Sequence, residues 1–594
     1  ERVGGFVLDA RSGEPIEDVQ IQFWCRDRRN WQRAGGDVRT DRNGYFKAAI
    51  SSQSHVIVAK HRGDRVSTNN LSAHAYDMTP RPQEHTTFFT DRSLYRPGQT
   101  IRFKGICIYS HHEKDAYRTI NNRNLMVIFR DVNHKEIERR EFRTNDYGSF
   151  SGSFTAPRDR LMGRMSIVVE GQPNGSTNVT VEEYKRPKFE VALDPPETAP
   201  KLDADVTITG HAISYTGAAV NGAKVQYRVV REVRYPPWWG WYRWWMPQQS
   251  GGQEILHGVV RTETDGSFKI TFNAMPDRTV PAADEPTFSF SVYADVTDTA
   301  GETRSGNRTV NVGYTTLQAT LSTDQWQEKD KPVVLTIGTR TLDGVGQSAE
   351  GTVKIFRLQA PATVQRPQAQ GWQRHHRMRP EAGQPGEPDL SDPNTWPLGD
   401  VAVERPFTTD AEGGAELSVA LEPGLYRAKL ESTDRFGKPV SALQPLQVLD
   451  PQAPKCNLKI PFLLTAPTWQ VEPGDSLTAL WGSGYDRARA YIEIEHRNKI
   501  LRSFWTDPKR TQEIIELAVT EEMRGGFTVR VTMVRENRGY ITARPVTVPW
   551  SNKKLQVKWE HFTSKLGPAE KETWTAIITG ANAEKVVADM VAGL

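Results

Sequence analysis

Three cysteines, two adjacent-histidine pairs and a recurring aspartate–glycine segment are the residues of this 594-residue sequence whose types could carry chemistry. A thiolate attacks carbonyls or binds metal, and either task needs suitable neighbours. Cys25, Cys107 and Cys456 lie far apart, with no Cys-x-x-Cys pair and no histidine cluster beside them. That spacing argues against a disulfide framework and against a zinc site. Cys25 ends Val19-Gln20-Ile21-Gln22-Phe23-Trp24-Cys25, where alternate residues are apolar, and so reads as a core thiol. His111-His112 and His375-His376 sit in polar stretches and read as solvated loop histidines. Asp41-Arg42-Asn43-Gly44 faintly resembles a calcium loop but lacks the closing glutamate, so a hairpin turn is the better reading. There is no serine nucleophile elbow, phosphate loop or dinucleotide fingerprint. The sequence therefore predicts a protein that is not an enzyme, with no catalytic, cofactor-binding or metal-binding residues.

Two further clusters are suited to contact rather than catalysis. The segment 235–247 concentrates aromatic side chains, and Trp238, Trp239, Trp241, Tyr242, Trp244 and Trp245 are candidate partner contacts. The same rings can fold back to cap a domain junction, and the reading leans slightly to that cap. The segment 358–400 is rich in Pro, Gln and His, cannot bury a core, and reads as a disordered insertion. Its Arg366, Arg374, Arg377 and Arg379 are trypsin-like targets, although exposed loops are cut wherever they occur.

The elements that would position these clusters are strands. Thr40-Asp41-Arg42-Asn43-Gly44-Tyr45-Phe46 returns as Thr144-Asn145-Asp146-Tyr147-Gly148-Ser149-Phe150 and as Thr262-Glu263-Thr264-Asp265-Gly266-Ser267-Phe268. A worn copy is Thr409-Asp410-Ala411-Glu412-Gly413-Gly414. Each is a tight-turn signal, in which Asp or Asn supplies local hydrogen bonds and Gly a positive φ. A Pro-Gly turn ahead of an alternating strand recurs at Tyr95-Arg96-Pro97-Gly98 and Val471-Glu472-Pro473-Gly474. Helical periodicity is nearly absent, apart from a short stretch at 582–591. Units of roughly 100–140 residues with these signals predict an all-β chain of tandem antiparallel β-sandwiches of fibronectin-III-like size.

The predicted divisions are a small sandwich at 1–85 and sandwiches at 86–186, 187–313, 314–450 and 451–548. The segment 549–594 then starts a further, truncated domain. The ends read as those of a fragment, opening inside a strand pattern and closing after an unfinished apolar segment. Pro-containing junctions near Lys185-Arg186-Pro187 and Pro451-Gln452-Ala453-Pro454-Lys455 are candidate hinges. Lys and Arg number 76 against 72 Asp and Glu, interspersed rather than in stripes, which argues against nucleic acid. No apolar run reaches the roughly 18 residues of a membrane span.

Several segments, in order, resemble the macroglobulin-domain region of the bacterial α2-macroglobulin family. Thr90-Asp91-Arg92-Ser93-Leu94-Tyr95-Arg96-Pro97-Gly98-Gln99 resembles the opening of that family's second macroglobulin domain. Val181-Glu182-Glu183-Tyr184-Lys185-Arg186-Pro187 resembles its junction with the third, and Asp298-Thr299-Ala300-Gly301-Glu302-Thr303 the end of the third. Val548-Pro549-Trp550-Ser551-Asn552 resembles a later segment leading towards the bait region. The first domain is similar to a carboxypeptidase-regulatory-like or first macroglobulin sandwich. The resemblance implies the frame of a broad-spectrum protease-trapping inhibitor, with proteases as partners and a periplasmic, cell-surface or secreted location. Any membrane anchor would lie outside this sequence. The family's thioester motif Cys-x-Glu-Gln is absent, so covalent capture falls to no residue here. The rival reading is a cell-surface adhesion or scaffold protein of tandem sandwiches binding protein or glycan.

Overall fold

The computed structural model describes all residues except 1, 28–29, 50–53, 69–70, 73–81, 112–115, 184–187, 197–199, 237–250, 283–284, 368–387, 568–569, 582–589 and 591–594. The short stretch at 582–591 with helical periodicity thus lies almost wholly outside the described residues. Among those described there are strands and three-residue 3-10 turns but no α-helix. They form two compact units. One comprises Glu1–Val7, Ile16–Arg186 and Pro549–Leu594; the other comprises Leu8–Pro15 and Pro187–Val548.

Each unit is built from pairs of antiparallel sheets around separate apolar cores. In the first unit, the strands at 2–72 enclose a small core of Val19, Ile21, Phe23, Phe46 and Ile57. The strands at 83–181 enclose a larger one. Thr100–His111 illustrates the pattern, since Ile101, Phe103 and Cys107 face inward and alternate with more exposed neighbours. Phe154 stacks between Phe103 at 5.2 Å and Phe129 at 5.4 Å. Burying each such ring is worth about 1.5–3 kcal/mol. Gln556–His561 and Thr575–Thr579 form a two-stranded ribbon. The second unit holds three more sandwiches, with strands spanning 189–313, 317–449 and 463–546.

The repeated turn has a structural cause. Its threonine is buried at Thr40, Thr144, Thr262 and Thr409. There Oγ1 accepts the amide of Val19, Arg123, Ala223 and Ala349 respectively, at 2.8–2.9 Å. Thr40 and Thr262 also donate to the carbonyls of Ile16 and Val220. A hydroxyl that both donates and accepts satisfies backbone groups that would otherwise be buried unpaired. The next residue shapes the turn. Asp41 Oδ1 accepts the amides of Asn43 and Tyr45, while Gly44 takes φ 71°. Asn145 does the same for Tyr147 and Ser149. The worn copy keeps the device, with Asp410 accepting the Gly414 amide. A fifth copy, unforeseen, is Thr506-Asp507, where Thr506 accepts the Ala490 amide at 3.0 Å.

Within the second unit the two sandwich junctions differ. Between the strands at 189–313 and those at 317–449 no apolar core is shared and hydrogen bonds are prominent, with Lys201 also 4.9 Å from the Phe436 ring. Thr316, in the linker just before the second of these sandwiches, donates its amide and hydroxyl to Asp434, at 2.9 and 3.2 Å. Ser441 donates to Glu285 at 3.0 Å, and Asn311 to Asp343 at 3.1 Å. Between the strands at 317–449 and those at 463–546, Leu358, Trp396, Leu449, Cys456, Leu458, Ile460 and Leu480 make one continuous apolar core. Gln512 Nε2 donates across this junction to the carbonyls of Asp450 at 2.8 Å and Ala453 at 3.0 Å. The expected hinge at 451–455 lies against this core. Proline punctuates the segment, but a buried side-chain amide and an apolar core hold it in place. The other expected hinge, at 185–187, lies outside the described residues.

Candidate functional site

The aromatic segment is carried by the paired strands Lys224–Arg234 and Gln253–Arg261. Arg231, buried near their open end, donates to Gln253 Oε1 at 2.7 Å, to the Met275 carbonyl at 3.0 Å and to Asp277 at 3.1 Å. Hydrogen bonds from Thr279, joined by the Arg231 charge, hold the Asp277 carboxyl below its ordinary value. A buried guanidinium with three partners fixes both strands and the neighbouring loop. Trp238, Trp239, Trp241, Tyr242, Trp244 and Trp245 themselves lie outside the described residues.

The insertion between the strands Glu350–Leu358 and Leu398–Thr408 is narrower than its composition suggested. Of the stretch 358–400 expected to be disordered, residues 388–400 are ordered and Leu358 closes a strand. Asp392 accepts the Asn394 amide at 2.9 Å and starts a 3-10 turn, Pro393–Thr395. Trp396 follows, 5 % exposed in the apolar junction, with Nε1 donating to the Leu390 carbonyl. That one indole buries enough surface to order a chain otherwise poor in apolar residues. On the other stem, Val364 packs against the core of the last sandwich. Arg366 donates to the Glu536 carbonyl at 3.2 Å. Arg374, Arg377 and Arg379 lie outside the described residues. Arg366 and Arg379 each precede a proline, which lacks an N–H and fixes φ, so the bonds after them are poor trypsin sites.

The cysteines are free and buried. Burial pushes the Cys107 thiol up, and its sulfur lies 3.3 Å from the Thr86 hydroxyl. Burial pushes Cys456 up to about 11. Neither is poised as a thiolate at neutral pH. His111 is buried at the end of its strand, whereas His112, His375 and His376 lie outside the described residues. Among the described residues no three His, Cys, Asp or Glu side chains gather to hold a metal ion. No helix among them is long and apolar enough to cross a membrane. One open groove in the described surface is lined by Pro82, Glu84, His85, Tyr109, Gln172 and Asn174, with polar and apolar surface in about equal parts.

Tandem antiparallel sandwiches with separate apolar cores define a modular, all-β protein of the macroglobulin-domain type. A family model described as the MG2 domain matches residues 85–182, the second sandwich. An α2-macroglobulin of Thermotoga maritima is 27% identical over 196 residues, covering 32% of this chain and 11% of that relative. An α2-macroglobulin homologue of Nostoc is 21% identical over 243 residues, covering 36% and 13%. A trypsin-activated α2-macroglobulin structure from Escherichia coli aligns with 98% of this chain and 38% of its own, at 12% identity and a TM-score of 0.46. The chain thus matches only about a tenth of the length of these curated relatives. The chain is similar to the macroglobulin-domain region of the bacterial α2-macroglobulins.

Proposed function

We propose that this chain is the structural frame of a bacterial protease-trapping inhibitor of the α2-macroglobulin kind. The match of residues 85–182 to the MG2 domain, flanked by sandwiches on either side, is the observation that carries this reading. The chain's part is mechanical. Sandwiches fused through an apolar core, as at 358–480, transmit force as one body, and polar joints are where such a body yields. Covalent capture is assigned to no residue of this chain, because no Cys-x-Glu-Gln segment occurs here. The partners are proteases, and the setting is the periplasm, the cell surface or the exterior.

The test uses the full-length protein in excess over active trypsin. A large protein substrate and a small chromogenic peptide are offered in parallel. Protection of the large substrate with continued peptide cleavage is the expected result, since a caged protease keeps its active site. Normal cleavage of both would overturn the trapping role for that protease.

A further inference from the structure

The turn joining the strands Phe527–Arg535 and Arg538–Val546 is held from two sides by segments distant in sequence. Glu536 and Asn537 both adopt positive φ, 48° and 57°, so the turn is narrow and leaves its backbone groups pointing outward. On one side the Glu536 amide donates to the Arg11 carbonyl at 3.1 Å and the Asn537 amide to the Ala10 carbonyl at 2.6 Å. The segment Leu8–Pro15 that supplies these carbonyls belongs to the same compact unit as the turn. It is preshaped. Asp9 Oδ1 accepts the Ser12 amide and hydroxyl at 2.7 and 2.8 Å, and those bonds hold its carboxyl below the ordinary value. Gly13 lies so close that a Cβ there would collide with the Val534 carbonyl, and its φ of 80° already favours glycine. Glu14 pairs with Arg489 at 3.2 Å, and Arg489 is itself fixed by the Thr506 carbonyl and the Trp505 ring.

On the other side stands the insertion stem. Arg366 donates to the Glu536 carbonyl and Arg538 donates to the Pro367 carbonyl, each at 3.2 Å. Val364, packed on the core below, keeps the stem in place. Amide and carbonyl of the same residue, Glu536, are thus used by different partners.

We propose that this turn is a two-sided clasp through which the insertion stem 364–367 and the segment Leu8–Pro15 stabilise each other's attachment. Four hydrogen bonds converge on three consecutive residues, so loosening the turn from either side withdraws the geometry the other side needs. A disturbance of the stem at 364–367 would therefore be felt at residues 8–15 through the turn.

Hydrogen exchange on the whole chain tests this, read at the Glu536 and Asn537 amides with the Val529 and Val531 amides as a folding control. Arg366→Ala loosens the stem side alone, with Arg538 left in place because it also donates to the Asn537 carbonyl within the turn. The expected result is exchange at Glu536 and Asn537 faster by about fivefold or more, with the control unchanged. Gly13→Val strips the opposite side, and Asp9→Ala, which unshapes the same segment without a clash, replaces it where Gly13→Val fails to fold. Combining the stem variant with either one should add little beyond the stronger single effect. Unchanged exchange in the stem variant, or effects that multiply in the combination, would overturn the clasp by showing two independent attachments.

Discussion

The two junctions of the second unit join similar sandwiches by opposite means. At Thr316, Asp434, Glu285 and Ser441 the joint is made of hydrogen bonds, and the cores on either side remain separate clusters. At Trp396, Cys456 and Gln512 it is made of buried apolar surface with one side-chain amide stitched across it. Hydrogen bonds exchange readily for water and give a modest net gain, whereas buried apolar area is returned only when the whole contact opens. On these grounds the polar joint is expected to open more readily than the apolar one.

Trp396→Ala attacks the apolar joint and should have the largest effect. It leaves a cavity among Leu358, Leu449 and Leu480, and a loss of about 3–5 kcal/mol is expected in the urea transition of these two sandwiches. Gln512→Ala should cost less, about 1–3 kcal/mol, by leaving the Asp450 and Ala453 carbonyls without a donor. At the polar joint, Asp434→Ala should cost about 1–2 kcal/mol and leave the transition of the last sandwich where it was. A shift of that last transition would show the two joints to be coupled.

The smallest effect is one of pH, and its sign differs between two carboxylates. Burial raises Glu285 above the ordinary glutamate value, although Ser441 and Lys429 oppose it. The folded state therefore binds the extra proton, and the stability Glu285 contributes is lost as pH rises through its raised pKa. Asp434 is also buried, but amides of Thr316, Lys438 and Phe436 outweigh that and lower it. Its contribution is present above the ordinary aspartate value and is lost as pH falls through the lowered one. Glu285→Gln should remove the loss on the alkaline side and keep the acid limb, measured as urea midpoints between about pH 3 and 8. An unchanged alkaline limb would take Glu285 out of the joint.

The sandwiches were legible because their turns repeat. Thr40, Thr144 and Thr262 each open a segment with a glycine four residues on, and that local grammar suffices to place strands. The Thr506 copy escaped because Arg510 stands where the glycine would be sought. The apolar joint was not legible at all. Leu358, Trp396 and Cys456 come from three separated segments, and Trp396 sits in a stretch whose prolines suggest disorder. Gln512 carries no local signature, since its partners lie about sixty positions upstream. Of the candidate site, sequence could point to arginines and tryptophans but not to the turn at 535–538. Its importance comes from partners at 10–11 and 366–367.

The most direct test of the contrast is residue-resolved hydrogen exchange on the intact chain under native conditions. The Cys456 amide, bonded to Thr511 Oγ1, and the Thr511 amide, bonded to the Pro454 carbonyl, report the apolar joint. The Thr316 amide, bonded to Asp434, reports the polar one. Cys456 and Thr511 should exchange as slowly as the core amides of Ile492 and Val531. Thr316 should exchange faster by about tenfold or more, through local opening. Equal protection at Thr316 and Cys456, or faster exchange at Cys456, would contradict that contrast.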